Sequence, residues 1–171
     1  MRNLTNASLL VVLAASLALT ICCGPPPTTG PGDNISVTPN GPSAHLARLE
    51  GPPLYSLEKV GDVEQPSFAA DIPISHAGQL VVAGWAVDRT AKVAAGGVDV
   101  AIDGKAYAAE YGAPRNDVAE YFKTPAYDAS GYRFSAAAAA FDKGKHRLAL
   151  RVLNVGKTGY WEGATFAIEL R

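Results

Sequence analysis

Leu80-Val81-Val82-Ala83-Gly84-Trp85-Ala86-Val87-Asp88 is the stretch on which the fold turns. From Leu80 to Val87 the residues are almost all apolar, and Gly78 and Asp88 bound the run, the composition of a strand buried on both faces. Trp85 reads accordingly as a core anchor. The segment predicts an all-β interior and names no chemistry.

Strand signals recur on either side of it. Leu54 to Val60 starts the series, and Phe68 to Ile74 predicts a short edge strand. Val98, Val100 and Ile102 alternate with Asp99, Ala101 and Asp103, which gives one apolar and one polar face. Asp103-Gly104 supplies the positive φ angles of a tight hairpin, so Lys105 to Glu110 returns as the partner strand. Arg115 to Phe122 predicts a short helix with Asn116 as its N-cap and with Val118, Tyr121 and Phe122 reaching the core. Tyr132 and Phe134 begin another strand. Alanine prefers helix, so the five alanines from Ala136 to Ala140 predict strand first and then a helical turn before Gly144. Leu148, Leu150 and Val152 face inward between Arg147, Ala149 and Arg151, and Phe166, Ile168 and Leu170 close the chain in the same manner. Short strands, frequent turns and little helix indicate two packed antiparallel sheets.

The first 23 residues carry a different signature. Arg2 is the sole charged side chain before Asp33, and an uncharged apolar run from Leu9 to Ile21 follows it, the layout of a signal peptide over residues 1–22. A spanning helix needs about 20 apolar residues. The run from Ala7 to Cys23 is shorter and then meets Gly24 and three prolines, so spanning is the weaker reading. Leu19-Thr20-Ile21-Cys22-Cys23-Gly24 resembles a bacterial lipoprotein signal, in which a cysteine at the end of the apolar run is lipidated. Such signals favour a small residue before the modified cysteine. Cys23 is therefore preferred as the lipid anchor, with Cys22 as the alternative.

Both cysteines of the chain lie at that junction, so the rest contains neither a disulfide nor a thiolate metal site. Between Gly24 and Pro53 stand eight of the 12 prolines, interleaved with glycines. That composition predicts a disordered tether over residues 23–53, ahead of a domain over residues 54–171. The formal charge is −1, or −2 without Arg2, and gives no electrostatic reason to expect nucleic acid.

The ordered series GWAVD at 84–88, AGGVDVAIDG at 95–104, YGAPRNDVAEYF at 111–122, SGYRF at 130–134 and GKHRLALRV at 144–152 resembles a family of bacterial immunoglobulin-like β-sandwich modules found in exported and cell-surface proteins. The resemblance implies an all-β, immunoglobulin-like antiparallel β-sandwich with one short helical insertion, and a location in the bacterial cell envelope. It carries fold further than function. The alanine run departs from the family's more varied apolar pattern, and no transferase-like or transporter-like domain accompanies the module.

Catalytic motifs are sparse. His45, His76 and His146 stand alone, without a second histidine at ligand spacing, and the sequence shows no nucleophile elbow, P-loop or dinucleotide fingerprint, so no metal or cofactor is expected. Asp88, Asp99, Asp103, Asp117 and Glu120 are carboxylates that strand ends and turns explain more cheaply than glycoside hydrolysis does. Arg115, Asp117 and Tyr121 form the candidate interaction patch, with Tyr127 beside them. The competing structural reading has Arg115 tying the loop to a sheet edge by bidentate hydrogen bonds and Asp117 assisting the helix N-terminus. Tyr160 and Trp161 are adjacent aromatics that could form a sugar-stacking platform, but on a strand they point to opposite faces, so at least one of them is core. The expectation is a non-catalytic, membrane-tethered envelope module that binds or scaffolds an envelope protein. A carbohydrate-binding module is the alternative, and an envelope hydrolase a more distant one.

Overall fold

The computed structural model describes residues 37–171. The expected signal peptide, Cys22 and Cys23, and the first part of the expected tether lie outside the described residues. In chain order the strands are β1 (Ala47–Arg48), β2 (Leu54–Val60), β3 (Val63–Glu64), β4 (Ile72–Ile74), β5 (Gln79–Asp88), β6 (Val93–Ala94), β7 (Gly97–Ile102), β8 (Lys105–Ala108), β9 (Glu110–Ala113), β10 (Gly131–Ala137), β11 (Gly144–Leu153), β12 (Gly159–Glu162) and β13 (Phe166–Leu170). One α-helix, α1 (Asn116–Tyr121), joins β9 to β10. Among the described residues no helix is long and apolar enough to cross a membrane.

The strands form two sheets. One contains β8, β7, β11, β12, β13, β1 and β4, and the other runs β3-β2-β5-β10-β9 with β6 on the edge of β5. Their facing side chains make one core. Val60, Leu80, Val82 and Phe134 from the second sheet meet Val98, Val100, Leu148, Leu150, Val152 and Ile168 from the first, all essentially excluded from solvent. This is an all-β sandwich, and hydrophobic burial between its layers holds it together without a cross-link among the described residues. The expected antiparallel pattern is broken at two edges, where β1 pairs with β12 and β4 pairs with β13 in parallel.

Local turn chemistry places most elements where the residue pattern puts them. Asp103 and Gly104 have φ of 48° and 81°, the left-handed geometry that a two-residue hairpin needs. Val98, Val100 and Ile102 face the core as the alternation requires. The alanine run continues β10 to Ala137 and then turns through a 3-10 segment at Ala138–Ala140. The predicted edge strand from Phe68 shrinks to Ile72–Ile74, and Phe68 instead stacks on Phe166 at 3.9 Å while remaining largely exposed.

Two expectations need correction. The tether reading of residues 23–53 fails for its second half, because Asn40 to Leu49 form a strap on the first sheet. The Asn40 side chain accepts a hydrogen bond from Ala108 N–H, Gly41 N–H donates to the Ala106 carbonyl, and Ser43 N–H donates to Asp99 Oδ2 at 2.7 Å. From there β1 reaches β12, and Leu49 N–H bonds to the Tyr160 carbonyl. The strap therefore passes from the β8 edge over β7 to the far side of β11. It explains why Asp99, placed by the alternation on a polar face, is only 1% exposed. Backbone hydrogen bonds outweigh the low apolar content of this segment, which is what made it read as tether.

The second correction concerns Trp85. Along β5 the residues Leu80, Val82 and Ala86 enter the main core, whereas Trp85 and Val87 point to the outer face of the second sheet, where the α1 insertion covers them. A continuous apolar run arises here because both faces of β5 are covered, one by a sheet and one by a helix. Gly84 is the close approach within that run: a side chain there would collide with the Ser56 carbonyl, to which Tyr132 Oη donates.

Candidate functional site

The outer face of β5 and the helical insertion make a second, small core of Val87, Val118 and Tyr127, with Leu54, Trp85, Ala119 and Phe122 packed around it. Its aromatic rings meet edge to face. Phe122 lies 5.6 Å from Trp85 at 70°, 5.7 Å from Tyr127 at 78° and 4.9 Å from Tyr121 at 81°. These are the offsets that the aromatic quadrupole favours.

The helix sits differently from its sequence expectation. Arg115, not Asn116, is the N-cap, and no side chain caps the helix. The Arg115 carbonyl accepts from Val118 and Ala119 N–H, and its own N–H donates to the Asp128 carbonyl across the insertion. Val118 and Phe122 pack inward as predicted, but Tyr121 does not: it is 80% exposed. Tyr127, offered from sequence as a surface neighbour of the patch, is buried.

Arg115 organises the polar half of the site. Its Nη1 and Nη2 donate to the two carboxylate oxygens of Glu58 on β2 at 2.8 and 2.9 Å, while Nε and Nη2 donate to Asp117 at 2.8 and 2.6 Å. Its side chain is only 19% exposed. Arg115 is therefore a brace between the insertion and β2, as the structural reading of this residue had it, and is not an exposed member of the patch. The hydrogen bonds and charge of Arg115 hold the Asp117 carboxyl down at about 2, and the two carboxylates in turn raise the arginine above its ordinary value.

Glu58, Trp85, Arg115, Asp117, Tyr121 and Phe122 together line an open cleft of about 520 Å³. Arg115, Asp117 and Tyr121 are thus brought together as expected. Glu58 and Trp85 were not foreseen as members. Glu58 carried no local signal, because its partner is 57 positions away.

Most of the remaining sequence candidates have structural partners. Asp88 accepts from Thr90, Ala91 and Val155 N–H, and Asp99 accepts from Ser43 N–H. Asp103 accepts from Arg147 N–H and pairs with His146 Nδ1 at 2.6 Å, and His146 Nε2 faces the Asp142 carbonyl at 2.7 Å. His146 is therefore held between two acceptors. Burial opposes its charge, but the two acceptors and the Asp103 and Asp142 carboxylates prevail and raise its pKa. His76 Nε2 lies 3.0 Å from the Phe141 carbonyl, and His45 is exposed on the strap. Trp161 packs against the main core, and the Tyr160 ring lies under the Arg151 guanidinium at 5.0 Å, so this pair does not present a joint sugar platform. Among the described residues no cluster of His, Cys, Asp or Glu has the arrangement of a metal site.

Comparison of the chain with family models, with curated proteins and with solved structures found no match.

Proposed function

We propose that this chain is a non-catalytic module of the bacterial cell envelope, tethered to the membrane by a lipid on Cys23 or Cys22, which binds an envelope macromolecule through the cleft beside α1. The observation that carries the reading is Tyr121. Tyr121 is 80% exposed on a cleft walled by Trp85 and Phe122, and its edge-to-face contact with Phe122 at 4.9 Å leaves most of its surface open to a partner. Tyrosine and tryptophan supply large, stiff contact areas and dominate binding hot spots. The kinship with immunoglobulin-like envelope modules belongs to the same proposal, supported by the two-layer sheet and the motif series from Gly84 to Val152.

A non-catalytic role is supported by the state of the carboxylates. A glycoside hydrolase requires one carboxyl held protonated and a second facing it. The two carboxylates of the cleft, Glu58 and Asp117, are both bound to Arg115, which favours the ionised form of Asp117. Binding of an envelope glycan is the second reading, favoured by the aromatic walls of the same cleft. A photocrosslinking residue in place of Tyr121 in the full-length protein, activated in native membranes, tests the reading. Adducts with an envelope macromolecule are expected; absence of adducts, or turnover of a cell-wall glycan or peptide by the purified protein, overturns it.

A further inference from the structure

We infer that the cleft beside α1 is built to receive a cationic side chain, a lysine or arginine of a partner protein, an inference that rests on the binding role proposed above and names its chemistry. The argument is one of charge and of donor accounting. The cleft holds one cation, Arg115, and two carboxylates, Glu58 and Asp117, so its formal charge is negative. Four of the five N–H donors of the Arg115 guanidinium point at those carboxylates, which leaves the cation facing inward and little of its donor capacity for a ligand. The nearest cation along β2, Lys59, is bound to Glu64 at 2.6 Å. Asp117 by contrast has a side chain 65% exposed, so it keeps acceptor capacity directed at solvent.

The apolar wall points the same way. Phe122 meets both Trp85 and Tyr121 in edge-to-face contacts, and exposed ring faces carry the negative side of the aromatic quadrupole. A cation over such a face with a carboxylate beside it is attracted by both. A phosphate or carboxylate ligand would meet the reverse field, and a neutral sugar would use the rings but leave the charge unanswered. A volume of about 520 Å³ is within the range that accepts one long side chain and the backbone carrying it.

The test titrates the full-length protein, in detergent, with three probes while following tryptophan emission: an end-blocked octapeptide alternating serine and lysine, the same peptide with glutamate for lysine, and a β-1,4-linked N-acetylglucosamine tetramer. The lysine peptide should bind tightest and weaken as salt rises. Asp117→Asn should weaken it roughly threefold and Tyr121→Ala roughly fivefold, the sizes of a partly exposed ion pair and a cation–π contact. Both variants should stay folded at the titration temperature, with Asp117→Asn melting somewhat lower because it gives up part of the Arg115 ion pair. Equal binding of the lysine and glutamate peptides, or a lysine-peptide affinity untouched by both substitutions, overturns the inference. Tyr121-dependent binding of the tetramer with no preference for lysine also overturns it, while leaving the cleft a binding site. The Tyr121 crosslink in membranes separately decides whether the cleft binds anything.

Discussion

Arg115 and Glu58, separated by 57 positions in the chain, share two parallel hydrogen bonds of 2.8 and 2.9 Å, and that fork fastens the helical insertion to β2. The geometry is bidentate, which a lysine cannot reproduce. Arg115→Ala leaves a half-buried Glu58 without its partner and should lower stability by about 1–2 kcal/mol. Arg115→Lys should recover only part of this in thermal unfolding. A variant as stable as wild type would show that the insertion is held by its apolar contacts alone.

Trp85 gives a second, independent test of the insertion. Because it lies on the outer face beneath Phe122 rather than in the main core, Trp85→Ala should cost about 2–3 kcal/mol, less than the 3–5 kcal/mol typical of a tryptophan in a closed interior. Phe122→Ala should be strongly non-additive with it in a double-mutant cycle, since each ring covers the other. Additive losses in denaturant titrations would contradict the contact.

The strap extends the folded unit upstream of Leu54. Asp99→Ala removes the acceptor of Ser43 N–H from a site that is closed to water, and should cost roughly 1–3 kcal/mol. Deleting residues 37–53 uncovers Asp99 on β7 and the edge of β12, and should lower the melting temperature at least as far. A shortened chain that melts like the parent would mean that the strap contributes nothing.

His146 sets a pH dependence. Both of its ring nitrogens face acceptors, Asp103 Oδ2 and the Asp142 carbonyl, so both hydrogen bonds form only when the ring is protonated. Its pKa is raised from 6.5, so the stability it contributes is fully present below the unfolded value and is lost as pH rises through the raised folded value. Asp103 is shifted the opposite way: burial pushes it up, but the Arg147 N–H and His146 outweigh that, and its contribution is lost only as pH falls below the ordinary carboxylate range. The melting temperature should therefore decline as pH rises from the ordinary imidazole value of 6.5 through the raised folded value. In Asp103→Asn, which keeps the left-handed turn at φ 48°, that decline should flatten; an unchanged slope would assign the dependence to another group.

What the residues disclose and what they hide follows from the range of the interactions. The Asp103-Gly104 hairpin and the inward set of Leu148, Leu150 and Val152 are local matters of turn geometry and two-residue period, and they stand in the structure as read. The side on which Trp85 lies is not local, because an apolar residue looks the same whether a sheet or a helix covers it. The strap was hidden by its prolines and glycines, which report low core content but not the backbone hydrogen bonds that bind Gly41 and Leu49. At the site, Arg115, Asp117 and Tyr121 stood out as a short polar and aromatic run within the insertion. Glu58 and Trp85 join them only because β2 and β5 are paired, with Ser56 directly opposite Trp85.

The binding role of the cleft is tested most directly by measuring envelope-partner capture and melting temperature on one pair of variants, Tyr121→Ala and Arg115→Ala. Tyr121 is 80% exposed and touches the small core only at Phe122, so its removal should reduce capture about tenfold, the loss of one hot-spot side chain, while lowering the melting temperature far less than Arg115→Ala does. Arg115→Ala should lower both together. Capture by Tyr121→Ala equal to that of the parent protein would contradict the assignment of this cleft as the binding site.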